Sequence, residues 1–469
     1  MKPVAIIGAG ITGLTAAFYL KRKGIPVAVY EAGGRVGGVI QSIRREGYLA
    51  ECGPNTILET SPVIARLVRD AGLESRRLYS DPKADARYLV HNRRPVALPG
   101  SPLGLFTTRL FSVKTKLAVL REPFIPARRD GQEESVAGFV KRRLNQEFLD
   151  RAIDALVAGI YAGDPYQLSV QQAFPRLAEL EARYGSLIKG QLFGAAERKQ
   201  RGEIAKDRAP KFSFDEGLQM LPDTLGRQLG DAVKLNTAVT KLARAEHGWR
   251  VSTSAGEAEH SAVIYCGTAY QLAGLQISGT GWQPVRSRSE ADSQDAWATA
   301  AFSEIRYPPV ASVVLGFRRE DVAHPCQGFG MLIPKIEGCN ILGTIFSSSL
   351  FPNRAPAGYL TLTSYLGGER RPELGRLPME KMVELTCDDL RGLLGVRGRP
   401  TFVHGMVYPR AIPQYNLGYG SYRGRLAEME NQAPGLFFAG HYRDGVSVGD
   451  SILSGCHAAE RVEQFVAAK

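Results

Sequence analysis

Six residues near the amino terminus restrict the fold of this chain more than any other feature. Gly8-Ala9-Gly10-Ile11-Thr12-Gly13 follows directly on the apolar run Val4-Ala5-Ile6-Ile7 and leads into a helix-forming stretch, Leu14 to Lys23. Strand, glycines and helix in that order make a dinucleotide-binding fingerprint. Gly8 permits the tight turn, Gly10 lets a pyrophosphate approach the backbone, and Gly13 lets helix and strand touch. The phosphates then sit on the helix N-terminus, where unpaired N–H groups point outward. A second strand, Pro26 to Tyr30, ends in Glu31, an acid at the distance expected for a ribose hydroxyl.

The residues after Glu31 narrow the cofactor. Glu31-Ala32-Gly33-Gly34-Arg35-Val36-Gly37-Gly38 sets an arginine fork and bare glycine amides beside the expected pyrophosphate. The E-A-x-x-R-x-G-G pattern resembles the FAD-dependent amine oxidase and protoporphyrinogen oxidase superfamily. On that resemblance, Gly53, Pro54 and Asn55 in Glu51-Cys52-Gly53-Pro54-Asn55 form a flavin-contacting turn, which on the residues alone is an ordinary Gly-Pro turn. Near the other terminus, Gly435 to Gly440 reads as a buried strand ending in glycine. It runs through His441 into Val446-Ser447-Val448 and a second helix start, expected to hold the pyrophosphate and ribityl side of FAD. Between these ends, Ala232 to Leu242 resembles an adenine-contacting strand pair with Val239 as backbone partner; alone it is an alternating strand.

The cofactor elements therefore fall near residues 1–80, 215–278 and 420–469, and the remaining segments read as insertions. Residues 81–200 carry helical periodicity at Thr115 to Arg121, Ser135 to Leu144, Glu147 to Val157 and Gln171 to Arg183. Residues 201–214 and 279–419 are expected to form a substrate-binding domain, with strand patterns at Ala311 to Phe317, Gly330 to Pro334, Ile341 to Phe346 and Leu360 to Leu366. The expected fold class is α/β: a Rossmann-like FAD-binding domain of the GR2 type, an inserted antiparallel-sheet domain and an inserted helical domain. Gln283 to Asp295 reads as a polar linker and Arg198 to Arg208 as a loop or frayed helix end. Gly418 to Gly424 reads as a loop, because no strand precedes it, and so gives no second nucleotide site.

Composition limits the function classes. A chain of 469 residues, 44% hydrophobic, can bury two or three cores, and no run of about 18 apolar residues suggests a membrane span. The fold starts at residue 4, leaving no room for a signal peptide. Six scattered cysteines without a CxxC pair read as thiols in a reducing compartment, and seven scattered histidines predict no metal site. The net charge of +12 lacks any nucleic-acid recognition motif, so nucleic acid is not an expected partner; it fits either a solvated basic surface or attraction to an anionic membrane or polycarboxylate. Leu98 to Phe124, with Leu103, Leu105, Phe106, Leu110 and Phe111 among Arg109, Lys114, Lys116 and Arg121, suits a membrane interface or packing on the protein's own core.

The insertions carry a more selective resemblance. Ala158 to Pro165 (AGIYAGDP), Ala173-Phe174-Pro175, Ser186 to Gly190, Phe212 to Gln219, Gly328-Phe329-Gly330, Leu342 to Ala355 and Ile412 to Gly418 resemble the oxygen-dependent, flavin-type protoporphyrinogen IX oxidase family over nearly the whole chain. That resemblance implies non-covalent FAD, a porphyrinogen substrate and O2 as acceptor. It also implies a cytoplasmic protein held peripherally at the inner face of the cytoplasmic membrane; oligomeric state is open, a homodimer included. By motif match, Arg87 anchors a propionate, Leu332 and Phe346 wall the ring, and Gly159 with Ile160 offers close backbone. Side-chain acid–base catalysis is not implied, and the catalytic residues are left unassigned. His441 stands where relatives often carry a small polar residue. The nearest rival reading is coproporphyrinogen III oxidation; a non-redox binding protein of the Rab GDP-dissociation-inhibitor kind is a third, opposed by the intact Arg35, Gly37 and Gly38.

Overall fold

The computed structural model describes residues 1–100, 102–200, 209–278 and 297–468. The linker expected at Gln283 to Asp295 and most of Arg198 to Arg208 lie outside the described residues.

A five-stranded parallel sheet has the order Val233–Lys234, Val27–Tyr30, Val4–Ile7, Val263–Tyr265, Leu436–Phe438. Three distant chain segments thus build one layer. Val4–Ile7 is buried along its whole length, as a strand covered on both faces requires. The opening helix Ile11–Arg22 lies against the last helix, Val448–Ala467. Their backbones nearly touch: a Cβ on Gly455 would lie 2.4 Å from the Thr12 carbonyl oxygen. Both ends of the chain are therefore fixed in the same layer.

A seven-stranded sheet follows the order Phe402–Tyr408, Val310–Arg318, Tyr359–Gly367, Ile341–Ile345, Gly330–Leu332, Arg87–His91, Arg94–Ala97. Every neighbouring pair is antiparallel except Gly330–Leu332 with Arg87–His91. All four strands expected in the second insertion are present. Residues 87–97, grouped above with the helical insertion, instead extend this sheet. Likewise Lys211–Phe214, grouped above with the substrate domain, pairs with Ile57–Leu58 and Arg77–Tyr79 beside the nucleotide layer. In both cases the pairing partner is remote in sequence, so composition gave no boundary signal.

Alternation along the strands separates the two faces of the large sheet. Val90, Met331 and Ile333 pack with Met382, Leu390, Leu393 and Leu394 of the helix Met379–Leu394. Leu89 and Leu332 face the other way, toward Leu110, Phe111 and Ala155 of the helical insertion. That insertion contains the helices Val113–Arg121, Val136–Arg143, Asp154–Tyr161, Pro175–Tyr184 and Leu187–Gln200. Its centre is Arg143, fully buried, donating to the Ile125 and Gly185 carbonyls and ion-paired to Glu122 at 3.1 Å.

One local expectation is corrected. Residues 419–424 open a helix, Tyr419–Gln432, preceded by Gly418 at φ +86°. Gly420 and Gly424 lower intrinsic helix propensity there. Burial of Tyr419, Leu426 and Met429 on one side offsets it.

Candidate functional site: a nucleotide cradle beside an apolar slot

The cradle is built by glycines that approach one another. Gly8 has φ +101° and lies against Cys266 and Gly267, while a Cβ on Gly13 would come within 2.1 Å of the Gly8 carbonyl oxygen. Gly38 comes within 3.5 Å of the Gly10 α-carbon by the same measure, and Gly37 donates its N–H to the Ala9 carbonyl at 2.8 Å. A Cβ on Gly10 would meet nothing within 4 Å, and one on Gly440 nothing closer than 3.7 Å. The open space lies at the N-terminus of Ile11–Arg22, a helix without a side-chain cap. Ile11, Thr12 and Gly13 thus end in backbone donors facing a groove lined by bare glycine, the arrangement a pyrophosphate needs.

Two polar expectations change on contact with the fold. Glu31 stands at the end of its strand, but its two oxygens accept from Ala9 N and Gly33 N, both at 2.8 Å, bracing the loop. Arg35 donates to the carbonyls of Val36, Gly38 and Ile40 rather than presenting a free fork, so here it shapes the loop. The second helix start carries its own cap. Ser447 accepts from Asp450 N at 3.1 Å and Asp450 accepts from Ser447 N at 3.2 Å. This capping box satisfies the Ser447 and Asp450 N–H groups from within and places an acid in the first turn of Val448–Ala467. Val446, Ser447 and Val448 are half-buried. Ala32 is exposed on the same loop, and Asn236 N and Thr237 N donate to Gly33 and Glu31 carbonyls, bringing the start of Val239–Ala245 next to it.

The turn Gly53-Pro54-Asn55 is held by a residue that sequence reading missed. Tyr365 donates its hydroxyl to the Gly53 carbonyl at 3.2 Å and accepts from Asn55 Nδ2 at 2.6 Å. Asn55 also receives Ser347, which bonds Thr363 at 2.8 Å. No spacing rule links residues 53 and 365. Beside the turn, Cys52 Sγ lies 3.3 Å from His404 Nε2. Burial pushes the thiol up to about 11 and the imidazole down, so this is a neutral pair and not a thiolate. His441 stands edge-on to Tyr307 and Tyr442 with ring centroids 6.0 and 6.3 Å away, and desolvation lowers its pKa to about 4. The ring is uncharged at neutral pH.

The expected substrate residues fall into one group with one exception. Arg87 opposes Gly330 and Leu89 opposes Leu332 in the parallel pair, which places Arg87, half-buried and 6.0 Å above the Phe329 ring, on the same sheet face as Leu332. Gly159 of the helix Asp154–Tyr161 meets Leu332 so closely that a Cβ would lie 2.5 Å from Leu332 Cδ2, and Ile160 beside it is 41% exposed. Tyr365 packs on Ala158, Ala162 and Leu342, joining this slot to the Gly53 turn. Phe346 is the exception. It is 0% exposed and packs between Tyr88 and His324, in the cluster of Val90 and Met331 on the opposite face. One residue past the end of the strand Ile341–Ile345, it turns behind the wall, not onto it.

Comparison with known proteins fits this geometry. The chain is 35% identical over 493 aligned residues to protoporphyrinogen oxidase 2, chloroplastic/mitochondrial, of Arabidopsis thaliana, covering 99% of this chain and 94% of that one. It is 28% identical to coproporphyrinogen III oxidase of Bacillus subtilis (strain 168), covering 97% and 96%. A crystal structure from Exiguobacterium sp. 255-15, provisionally named a protoporphyrinogen oxidase, superposes with a TM-score of 0.80 at 21% identity, over 99% of both chains, and so shares the fold. The sequence profile described as flavin containing amine oxidoreductase matches residues 11–463. With that match spanning nearly the whole chain, and the glycine cradle built as a flavin dinucleotide requires, the protein belongs to the flavin-containing amine oxidoreductase family.

Proposed function

We propose that the protein is an FAD-dependent porphyrinogen oxidase that converts protoporphyrinogen IX to protoporphyrin IX with O2 as acceptor. The carrying observation is the grouping of these residues: Arg87 and Leu332 on one sheet face, Leu332 packed against helix backbone at Gly159, and the group joined through Tyr365 to the Gly53 turn. Bound FAD supplies the two-electron oxidising capacity, used repeatedly until the macrocycle is aromatic. The chain's residues bind and orient. Gly8, Gly10, Gly13, Gly37, Gly38 and Gly440 take the dinucleotide, with Ile11 and Thr12 at the helix start and Glu31 at the ribose. Arg87 pairs with a propionate, and Leu332 with Gly159 and Ile160 holds the flat apolar ring while excluding water. With His441 neutral and Cys52 protonated, the described site offers apolar shape more than acid–base groups.

Protoporphyrinogen is preferred over coproporphyrinogen III because the higher identity lies with the protoporphyrinogen oxidases. Fluorescence-detected porphyrin formation in air, run with both substrates, tests this. Wild type is expected to turn over protoporphyrinogen IX faster, and Arg87→Ala to raise KM at least tenfold by removing a charge-assisted pair. Faster turnover of coproporphyrinogen III would transfer the assignment to that substrate.

Peripheral membrane attachment belongs to the same proposal, through residues of the Leu98 to Phe124 stretch that only partly coincide with those singled out above: Phe106 is 38% exposed, Leu105, Leu110 and Phe111 less so. Leu110 and Phe111 are core, at 2% and 6% exposure, and Leu105 packs beside them. The exposed apolar line is Val113, Leu117, Leu120 and Phe124, at three- and four-residue spacing, with Leu192 and Phe193 also exposed nearby on Leu187–Gln200. Lys114, Lys116, Arg121 and Lys189 supply positive charge in the same two segments. No described helix is long and apolar enough to cross a membrane. Replacing Leu117, Leu120 and Phe124 by serine should weaken sedimentation with phosphatidylserine vesicles about tenfold or more. Unchanged binding would exclude this face.

A further inference from the structure

The helix that carries Gly159 begins at an ion pair which none of the roles above uses. Asp154 Oδ2 accepts from Arg370 Nη2 and from the Lys335 backbone N–H, each at 2.7 Å. Arg370 Nη1 donates to the Ile333 carbonyl at 2.8 Å. The two side chains are 14% and 8% exposed, so the pair is largely removed from water. Between them they grip the backbone on both sides of Pro334, immediately after Leu332. The other end of the helix is fastened by the residue next to Arg370: Glu369 N donates to the Ala162 carbonyl at 2.7 Å, with Gly368 against the same carbonyl. A π-helical turn, Leu149–Ile153, directly precedes Asp154 and sets the rotation of the helix that follows.

We infer that Asp154 and Arg370 are positioning residues that set the spacing between the Gly159 helix and the Leu332 strand, and thereby the grip on a flat tetrapyrrole ring. The inference rests on the porphyrinogen reading above. Gly159 lies five residues beyond Asp154, about 7.5 Å along the helix axis. Leu332 lies one residue before the Ile333 carbonyl that Arg370 holds. A rotation or shift of either element therefore opens or closes the same contact, where no Cβ fits between Gly159 and Leu332. Burial makes the pair stiff, because a half-broken pair leaves an uncompensated charge and the elements must move to let water in. Neither residue reaches the glycine cradle, so their effect should fall on substrate and not on cofactor.

The test compares Asp154→Asn, Arg370→Met, the double variant and Arg370→Lys as FAD-loaded proteins. Five quantities are measured: KM and kcat for porphyrinogen, air reoxidation of the dithionite-reduced flavin, FAD content and melting temperature. The expected result is a KM raised at least tenfold in both single variants, with kcat changed less than threefold and with reoxidation and FAD content at wild-type values. The double variant should have a KM no higher than that of the worse single variant, since both remove one contact and no unpaired charge then remains, and Arg370→Lys should fall between wild type and Arg370→Met because one of two bonds survives. An unchanged KM in both single variants would overturn the positioning role while leaving the porphyrinogen reading intact. A parallel fall of kcat, FAD content and melting temperature would also overturn it, marking the pair as structural support. Wild-type protein that oxidises neither porphyrinogen would instead remove the reading on which the inference stands.

Discussion

Arg354→Met is expected to destabilise the protein by about 3–5 kcal/mol, the usual cost of removing one partner from a buried ion pair. Arg354 and Glu51 are 1% and 2% exposed and meet at 2.9 Å. Arg354 also donates to Ser213 at 2.6 Å, while Glu51 accepts from Ser42 Oγ and Leu218 N. This knot joins four chain segments one residue before Cys52 and the cofactor turn. Burial pushes the Glu51 carboxyl up and Arg354 pulls it back. Without the arginine the folded-state pKa rises further above the unfolded value. A carboxyl shifted in that direction stabilises at low pH and loses that contribution as pH rises through the shifted value. The deficit of Arg354→Met should therefore be smaller at pH 5 than at pH 8. Adding Glu51→Gln should recover part of it, because no unpaired charge then remains. Urea unfolding of the three proteins at both pH values checks this; equal deficits at the two pH values would exclude an ionised, buried Glu51.

Lowering the pH from about 6.5 to 4 should remove up to about 3 kcal/mol of stability through His441, whose pKa falls from 6.5 to about 4 on folding. The unfolded chain binds a proton in that window and the folded one does not, so stability is full above 6.5 and is lost as pH falls. His91, His260, His324 and His404 shift in the same direction. The decisive quantity is thus the difference between wild type and His441→Asn. The variant should show a shallower loss between pH 6.5 and 4 in urea unfolding. Parallel curves would mean that the ring is protonated in the folded protein.

The cradle was legible because its chemistry is local. A strand, a helix start and glycines within thirteen residues leave few alternative conformations, and Gly13 against the Gly8 carbonyl is the contact its spacing implies. Strand alternation likewise gave four strands of the large sheet. It could not assign faces to residues beyond a strand end, and so Phe346 was expected on the slot and lies behind it. For Leu105 and Phe111 the sequence left a membrane interface and the protein's own core both open, because hydrophobicity alone does not distinguish a core residue from a membrane-facing one. Only packing against Leu89 and Phe148 separates Phe111 from Phe124.

The amino-acid sequence by itself determined the nucleotide layer, the glycine cradle, the segmented order of the chain and the family, since each depends on short-range spacing or on motifs retained intact. Tertiary structure alone decided what reinforces that site: Tyr365 on the Gly53 turn, Asp154 with Arg370 behind the slot, and Glu51 with Arg354. Those interactions depend on side chains either hundreds of residues apart or bonded to backbone groups whose availability is fixed only after folding. Periodicity reports which face of an element is apolar, but the partner of a buried charge is chosen by the three-dimensional arrangement that excludes water from both.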